Sequence, residues 1–353
     1  MSRVKKIIKR MKVKNELVRQ IMGEVLGTFV LLLFGCAAAA QVKTSRETKG
    51  QFLSVNMAFS VGVMSAMYLS RAVSGAHLNP AVSLSFCVLG DLAWIKLLPY
   101  SLAQILGAYL ASGLVYLIYH DAIMEFSGGV LTVFGPNETA SIFATYPTDV
   151  VSMQTSFLDQ VVGTAMLMLC ILPLNDKRNA PAPEALLPPI VATVVLGISM
   201  SMSANCGAAI NPARDLGPRL FTFTAGWGIE VFTCYDYFFW IPIVAPMVGG
   251  VLGSIIYLVF IQWHLPELED ESESEDVLVN WWLIHQNSLN CNGLSLESTL
   301  FFYILYISGN FYISVFVFFT EEERRVRAND REYNEKFQYA VSRTYNLYII
   351  NIL

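Results

Sequence analysis

Two copies of the tripeptide Asn-Pro-Ala stand at positions 79–81 and 211–213. Asparagine is a strong helix N-cap, and proline at the first helical position gives up no donor that the helix needs, so each copy predicts the start of a helix. The helices, about 79–89 and 211–223, are each too short to cross a bilayer, which takes roughly 20 residues. Their positive ends repel cations, and the cap amides can donate hydrogen bonds to a passing oxygen.

The residues next to each Asn-Pro-Ala copy also predict contact with a water-filled cavity. A glycine-containing stretch precedes each copy, at 74–78 and at 207–210. Irregular backbone at membrane depth is tolerated where it lines a water-filled cavity, and its free carbonyl groups then become acceptors. Arg214 directly follows the second motif, and a charge in apolar surroundings demands a functional reason. Its guanidinium group would offer fixed donors to hydroxyl groups and would repel cations.

The elements that must position these residues are apolar spans. Of the 353 residues, 54% are hydrophobic and 14% are charged, and the mean hydropathy is +0.49, which is typical of a membrane protein. Six apolar blocks have about the length that crosses a bilayer as a helix: 21–40, 52–69, 97–119, 157–174, 186–202 and 237–261.

The amino-terminal segment predicts the orientation of these spans. Residues 1–17 are strongly basic, and together with Arg19 they place eight Lys and Arg residues ahead of the first block, so the amino terminus is predicted to be cytoplasmic. The alternative is a cleaved signal peptide, whose apolar core is normally only about 7–15 residues. The first block is longer than that, and part of its sequence recurs in the fourth block.

Six crossings place the segments 41–51, 120–156 and 223–236 outside and 175–185 inside. The outer segment 120–156 contains Asn137-Glu138-Thr139, a sequon that predicts glycosylation of Asn137.

An internal repeat decides how the motifs are interpreted. Residues 23–28 match 159–164, and 74–81 match 205–213, with a glycine and the Asn-Pro-Ala retained. Three spans in each half is an odd number, so the halves are inverted in the membrane and the two short helices enter from opposite faces. Inverted repeats with interrupted helices place a conduction site near the midplane. One Asn-Pro-Ala would be an ordinary helix start, whereas two in matched positions predict a pore.

The paired motifs, the repeated halves and Arg214 resemble the aquaporin family over residues 18–263. Asp215, after the second motif, and the long segment 120–156 resemble its glycerol-conducting branch. The runs NPARDLGPRLFT (211–222) and TASIFATY (139–146) are similar to those of one member of that branch.

The resemblance implies an all-α membrane fold with six transmembrane helices and two re-entrant half-helices in an inverted repeat. It also implies a homotetramer in the cell membrane that passes water, glycerol and urea.

Four residues fall, by motif position, where the family builds its narrow outer filter: Phe59, Ser199, Ala208 and Arg214. The resemblance implies that a polyol would lay its carbons on Phe59 and its hydroxyls on Arg214. Two of the four depart from the family pattern, because glycerol channels usually carry glycine where Ser199 stands and a larger residue where Ala208 stands. The range of solutes is therefore less determined than the class of channel.

Three polar residues inside the apolar region have two interpretations each. Glu24 and its repeat partner Gln160 need hydrogen-bond partners, and we expect them to brace the irregular stretches near His77 and Gly207. His77 is either a satisfied pore-wall side chain or a gate that changes with protonation, since an unperturbed histidine titrates near pH 6.5. Glu24 is its candidate partner.

The chain changes character after Trp263. Residues 264–298, with the acidic run ELEDESESED at 267–276, predict a solvated, disordered tail. Within the apolar segment 299–319, residues 300–319 are long enough for a seventh crossing. In the last segment, 320–353, residues 321–340 resemble the cytoplasmic leading edge of phospholipid-flipping P-type ATPases, without any of their catalytic machinery. A fusion or gene-model junction is the alternative for 277–353.

Three classes of function compete with a passive channel. A secondary transporter would need an intramembrane carboxylate, for which Glu24 is the strong candidate, and a non-conducting membrane scaffold would need only the fold. An enzyme is disfavoured, because the sequence offers no nucleophile with its base, no metal-ligand spacing and no phosphate loop. No cofactor, metal ion or nucleic acid is expected.

Overall fold

A computed structural model of the chain describes residues 12–267 and the backbone of 302–307 and 310–315. Residues 1–268 and 269–353 form two compact units. The helices of the first unit are α1 (Glu16–Thr44), α2 (Phe52–Ser74), α3 (Pro80–Leu89), α4 (Leu97–Ser127), α5 (Met153–Ile171), α6 (Leu187–Ser201), α7 (Pro212–Thr222), α8 (Glu230–Tyr237) and α9 (Ile241–Phe260). Short 3-10 turns at Trp94–Lys96, Ala140–Ile142, Phe238–Trp240 and Gln262–His264, and a π turn at Phe223–Trp227, join them.

Helices stand at all six predicted spans, and five of these spans are long and apolar enough to cross a membrane. The fifth span in chain order, α6, is a helix of only 15 residues. At 1.5 Å per residue it is about 22 Å long, less than the roughly 30 Å of a bilayer core. Prolines at 188 and 189 sit in its first turn, where a missing backbone donor is tolerated, and so they limit how far the helix extends backward.

The two predicted half-helices are present at the predicted positions. Asn79 caps α3 with an extended backbone, and its side-chain oxygen accepts a hydrogen bond from the Ala81 N–H at 2.8 Å. Asn211 caps α7 in the same way, accepting from the Ala213 and Arg214 N–H groups at 3.0 and 3.2 Å. Proline follows both caps, so two copies of one local signal produce two copies of one local structure.

The packing of the helices follows the inverted repeat. In the first half α1 packs on α2 and α4, and in the second half α5 packs on α6 and α9. Each half-helix crosses to the other half, α3 lying against α9 and α7 against α4. The core therefore consists of contacts between the halves as well as within them.

Two equivalent glycines permit the closest of these approaches. A Cβ added at Gly107 of α4 would collide with the Val25 carbonyl oxygen of α1, and one at Gly249 of α9 would collide with the Val161 carbonyl oxygen of α5. Val25 and Val161 occupy matching places in the repeated segments 23–28 and 159–164. The repeat thus extends to glycines that sequence comparison had not singled out.

In the second unit, the described residues form an antiparallel pair of strands, β1 (Phe302–Ile307) and β2 (Asn310–Val315). Phe302 lies opposite Val315, and Ile307 opposite Asn310. Residues 302–307 and 310–315 are therefore strands and not parts of the single helix that a seventh crossing over 300–319 would need. Aromatic and β-branched residues dominate both strands, and these residue types favour strands over helices. Residues 268–276 of the acidic run, the segment 321–340 and residues 1–11 lie outside the described residues.

Candidate pore and selectivity filter

The two half-helices meet through their capping asparagines. The Asn79 side-chain amide donates to the Ile210 carbonyl at 2.8 Å, and the Asn211 amide donates to the Leu78 carbonyl at the same distance. Each motif thus holds the residue that precedes the other motif. An asparagine amide has two N–H groups, so one on each side chain remains free of this bond. Both side chains line one cavity.

The stretches ahead of the motifs adopt backbone conformations that a helix cannot contain. Ala76, Leu78 and Ile210 have φ angles of 53°, 57° and 39°, in the left-handed region that is costly for residues with a Cβ. Residues 75–79 and 207–211 all line the cavity, as the sequence predicted for these stretches. Such strain persists only where the surrounding structure over-determines it.

Glu24 supplies this constraint for the first stretch. Its side chain is fully buried. One carboxylate oxygen accepts from the Ser74 hydroxyl at 2.6 Å and the His77 N–H at 3.0 Å, and the other accepts from the Leu78 N–H at 2.7 Å and the Gln104 amide at 2.8 Å. Four donors therefore converge on one carboxylate, which supports the bracing role expected from its position.

Gln160 takes the equivalent place in the second half. Its side-chain oxygen accepts from the Ile210 N–H at 3.0 Å, and its side-chain nitrogen donates to the Gly207 carbonyl at 2.7 Å. Ile210 is the counterpart of Leu78, so both braces hold the residue just before Asn-Pro-Ala. The second brace uses a neutral amide where the first uses a carboxylate.

The four filter residues named by the sequence all line the same cavity, which has a volume of about 1140 Å³: Phe59, Ser199, Ala208 and Arg214. The guanidinium carbon of Arg214 lies 4.6 Å from the centroid of the Phe59 ring, and its Nη1 donates to the Phe143 carbonyl at 2.9 Å. The bond and the stacking fix the plane of the guanidinium group. Donors that are not used by Phe143 are left for the cavity.

Asp215 does not contact the cavity. It is fully buried and forms an ion pair with Arg219, with Nε–Oδ1 at 2.8 Å. Its other oxygen accepts from the N–H and the hydroxyl of Thr145 at 2.7 and 2.5 Å, and Arg219 donates back to the Thr145 carbonyl at 2.6 Å. Thr145 stands two residues after Phe143. Asp215 thereby anchors the segment whose carbonyl holds Arg214.

The Asp215–Arg219 ion pair and its bonds to Thr145 join two runs that the sequence analysis identified separately, 139–146 and 211–222. Arg219 is the functional residue that it missed, since a charge on a helix normally faces solvent. Its spacing of four from Asp215, on one helix face, was the available signal.

His77 lies against the cavity without contacting the Glu24 carboxylate through its ring. Its ring Nδ1 is 3.1 Å from the Ser83 hydroxyl, and the ring stacks on Phe86 with centroids 4.8 Å apart. The Glu24 carboxylate binds the backbone N–H of His77 instead. Among the described residues no hydrogen bond joins the His77 ring to the Glu24 carboxylate, although the two residues are close in space.

The sequon lies in the connection between α4 and α5. Asn137 is exposed, whereas Thr139 is fully buried and its hydroxyl accepts from the Trp227 indole N–H at 3.1 Å. The neighbouring Glu138 forms an ion pair with Lys43 of α1.

Comparison with known proteins agrees with this geometry. The family model "Major intrinsic protein" matches residues 11–257. Aquaporin-10 of Homo sapiens is 49% identical over 261 residues, 74% of this chain and 87% of the relative. Aquaporin-9 of Rattus norvegicus is 43% identical over 271 residues, 77% of this chain and 92% of the relative.

A solved structure agrees as well. The X-ray structure of the aquaglyceroporin from Plasmodium falciparum matches with a TM-score of 0.64 and 30% identity, covering 70% of this chain and 98% of that one. The aquaporin fold that the resemblance implied is confirmed, and the chain belongs to the major intrinsic protein family, as a membrane channel of the aquaglyceroporin type for water and glycerol.

Proposed function

We propose that water and glycerol pass through the cavity between the two capping asparagines, driven only by their own gradients. The observation that carries this proposal is the reciprocal bonding of Asn79 and Asn211 to the carbonyls of Ile210 and Leu78. Each amide keeps an N–H for a passing oxygen, and the positive ends of α3 and α7 raise the energy of a cation there. The carbonyls of the two irregular stretches supply acceptors on either side.

The test is stopped-flow light scattering of the reconstituted full chain against water, glycerol and urea gradients. Glycerol should equilibrate without accumulating, whether or not a proton or sodium gradient is imposed. Uphill accumulation driven by either gradient would show a transporter instead. Absence of any solute flux from a folded, reconstituted protein would favour the non-conducting scaffold.

The hydrogen bonds that the buried carboxylates already make argue against a secondary transporter. Coupling needs a carboxylate that can bind and release an ion. Both oxygens of Glu24 are engaged by donors of the first loop and of α4, and those of Asp215 by Arg219 and Thr145. Each of the two carboxylates already holds a structural segment in place.

The residues Phe59, Ser199, Ala208 and Arg214 form the proposed filter. The Phe59 ring offers an apolar wall, and Arg214 offers fixed donors beside it. A polyol can lay its carbon chain on the ring and direct hydroxyls to the guanidinium group. Ser199 and Ala208 are small, which leaves room for a solute larger than water, and urea fits the same description.

His77 is the proposed gate. The groups packed around its ring are Ser83, Phe86 and Tyr100, and the Glu24 carboxylate binds its backbone N–H. Protonation would place a cation beside that carboxylate, and movement of the ring toward it would widen the cavity at this level. We expect acid to raise glycerol flux more than water flux between about pH 8 and 5. The check is a pH series on the wild type and His77→Ala, and an equal response in both would reject the gate.

Three further assignments complete the proposal. The channel lies in the cell membrane with its amino terminus in the cytoplasm, it assembles as a homotetramer, and Asn137 carries a glycan on the outer face. An epitope tag at the amino terminus should be reached by antibody only after permeabilisation. Glycosidase treatment should increase the gel mobility of the wild type and not that of Asn137→Gln. Mass measurement in detergent should give four subunits.

A further inference from the structure

One polar side chain on the cavity wall has no role in the site described so far. Asn56 lies on α2, three residues before Phe59 and therefore about one helical turn away on the same face. The next cavity-lining residues on this face are Phe59, Val63 and Met67, all apolar, and Arg71 follows them. Asn56 is thus the amide at one end of a hydrophobic stripe that runs along the solute path.

The Asn56 amide is buried without a partner. The residue is only 8% exposed, and its Nδ2 makes no hydrogen bond to any residue that the structure describes. A buried donor without an acceptor is unfavourable, and native proteins rarely retain one without a reason. Because Asn56 lines the cavity, a solute there can supply the acceptor once the side chain turns toward it.

Ser60, four residues further along α2, shows the contrast. It is buried to a similar degree, at 7% exposed, but its hydroxyl donates to the Ala192 carbonyl of α6 at 2.7 Å. Ser60 does not line the cavity, whereas Asn56 does. Helix α2 therefore satisfies its polar group where it meets a neighbouring helix and leaves one unsatisfied where it meets the solute path.

We propose that Asn56 is a specificity-determining residue that binds the hydroxyl groups of a polyol one turn from Phe59. This inference rests on the proposed conduction of glycerol through the cavity. An amide donates from nitrogen and accepts on oxygen, which matches the paired donor and acceptor character of adjacent hydroxyls. The carbon chain of the polyol packs on the apolar stripe. The amide forms a hydrogen bond to a hydroxyl group in place of the water that this hydroxyl loses on entry. Without it, a polyol loses hydration against a wall that returns no hydrogen bond.

The test compares three variants of the full chain in proteoliposomes, with glycerol and water permeability measured on the same preparations. Asn56→Leu keeps the branched shape and the number of side-chain heavy atoms and removes both hydrogen-bonding atoms. We expect glycerol permeability to fall about three- to tenfold relative to water, the range of one lost neutral hydrogen bond. Asn56→Ser returns a hydroxyl and should recover part of the ratio. Ser60→Ala should lower the melting temperature and leave the ratio unchanged.

The outcomes separate this inference from the proposed function. A wild type that passes no glycerol would reject the glycerol pathway itself. A wild type that passes glycerol, together with an unchanged glycerol-to-water ratio in Asn56→Leu, would overturn the role of Asn56. Equal loss of both fluxes in Asn56→Leu would also overturn it, because a blocked or deformed pore does not discriminate. An unchanged melting temperature in Asn56→Leu confirms that the fold is intact when the ratio is compared.

Discussion

The two re-entrant loops share one backbone design and differ in the charge that supports it. In the first loop, the carboxylate of Glu24 gathers donors from Ser74, His77, Leu78 and Gln104. In the second loop, the neutral amide of Gln160 binds one N–H and one carbonyl of the loop. Both hold the residue before Asn-Pro-Ala with a positive φ.

The difference shows where each half keeps its charges. Among the described residues, Glu24 has no cationic partner within ion-pair distance, so hydrogen-bond donors alone balance it. The second half places a cation, Arg214, on the cavity wall directly after its motif, and it buries an anion and a cation together behind it as Asp215 and Arg219. The fully buried charge of the first half thus braces a loop, whereas the second half also carries the cation of the proposed filter, Arg214.

The largest expected effect is a difference in stability between variants of Glu24 and of Gln160, the side chains that hold the two loops. Glu24→Ala leaves two buried backbone donors without an acceptor and should lower the free energy of unfolding by about 5 kcal/mol, because hydrogen bonds to a charged group contribute about 1.5–3 kcal/mol each. Gln160→Ala should cost about 2 kcal/mol. Thermal unfolding in detergent, followed by size-exclusion chromatography, measures both. Equal costs would show that the charge of Glu24 has no special part.

The second effect tests the role of the Asp215–Arg219 ion pair, which lies behind the proposed filter. Asp215→Asn breaks a fully buried ion pair, which we expect to cost about 3 kcal/mol and to release the segment that carries Phe143. Selectivity between glycerol and water should change in the protein that still folds. Glu16→Gln is the matched control, because it removes the ion pair with Lys96, in which Glu16 is exposed, and should leave the stability nearly unchanged. An Asp215→Asn channel with wild-type selectivity would remove this residue from the filter.

The third effect compares the arginines of the two halves. Arg214→Ala should fold nearly as well as the wild type but admit protons, cations and larger solutes, since a fixed donor and a positive charge leave the wall together. Arg71 of α2 also lines the cavity, and Arg71→Ala should change these permeabilities less, since Arg71 lacks the stacking and the carbonyl bond that fix Arg214. Conductance measurements on surface-expressed variants decide between them. Identical behaviour of the two variants would contradict the selective role assigned to Arg214.

The smallest effect is expected when the part of the chain that follows the repeat is removed. Truncation after residue 265 should leave permeability per surface molecule unchanged, because both half-helices and all the cavity-lining residues precede it. Loss of flux at normal surface levels would mean that the carboxyl-terminal segment belongs to the channel.

Local signals in the sequence determined where the pore-forming elements begin. Asparagine followed by proline specifies a helix start by itself, so the starts of α3 and α7 followed from residues 79–80 and 211–212 alone. The repeat determined that the halves are inverted, because an odd number of spans separates equivalent residues. Apolar runs likewise determined the spans, and α6, at Leu187–Ser201, lies within one residue of its predicted bounds at each end.

Only the tertiary structure decided which polar groups are satisfied by the protein and which are left for solute. Asp215 and Arg214 are neighbours in sequence, yet one is fully buried against Thr145 and Arg219 while the other lines the cavity. Asn56 and Ser60 lie one turn apart on α2, and only the position of α6 gives Ser60 an acceptor. Whether a buried polar group finds a partner depends on segments that are far apart in the chain and close in space. A local pattern of residues does not contain that information.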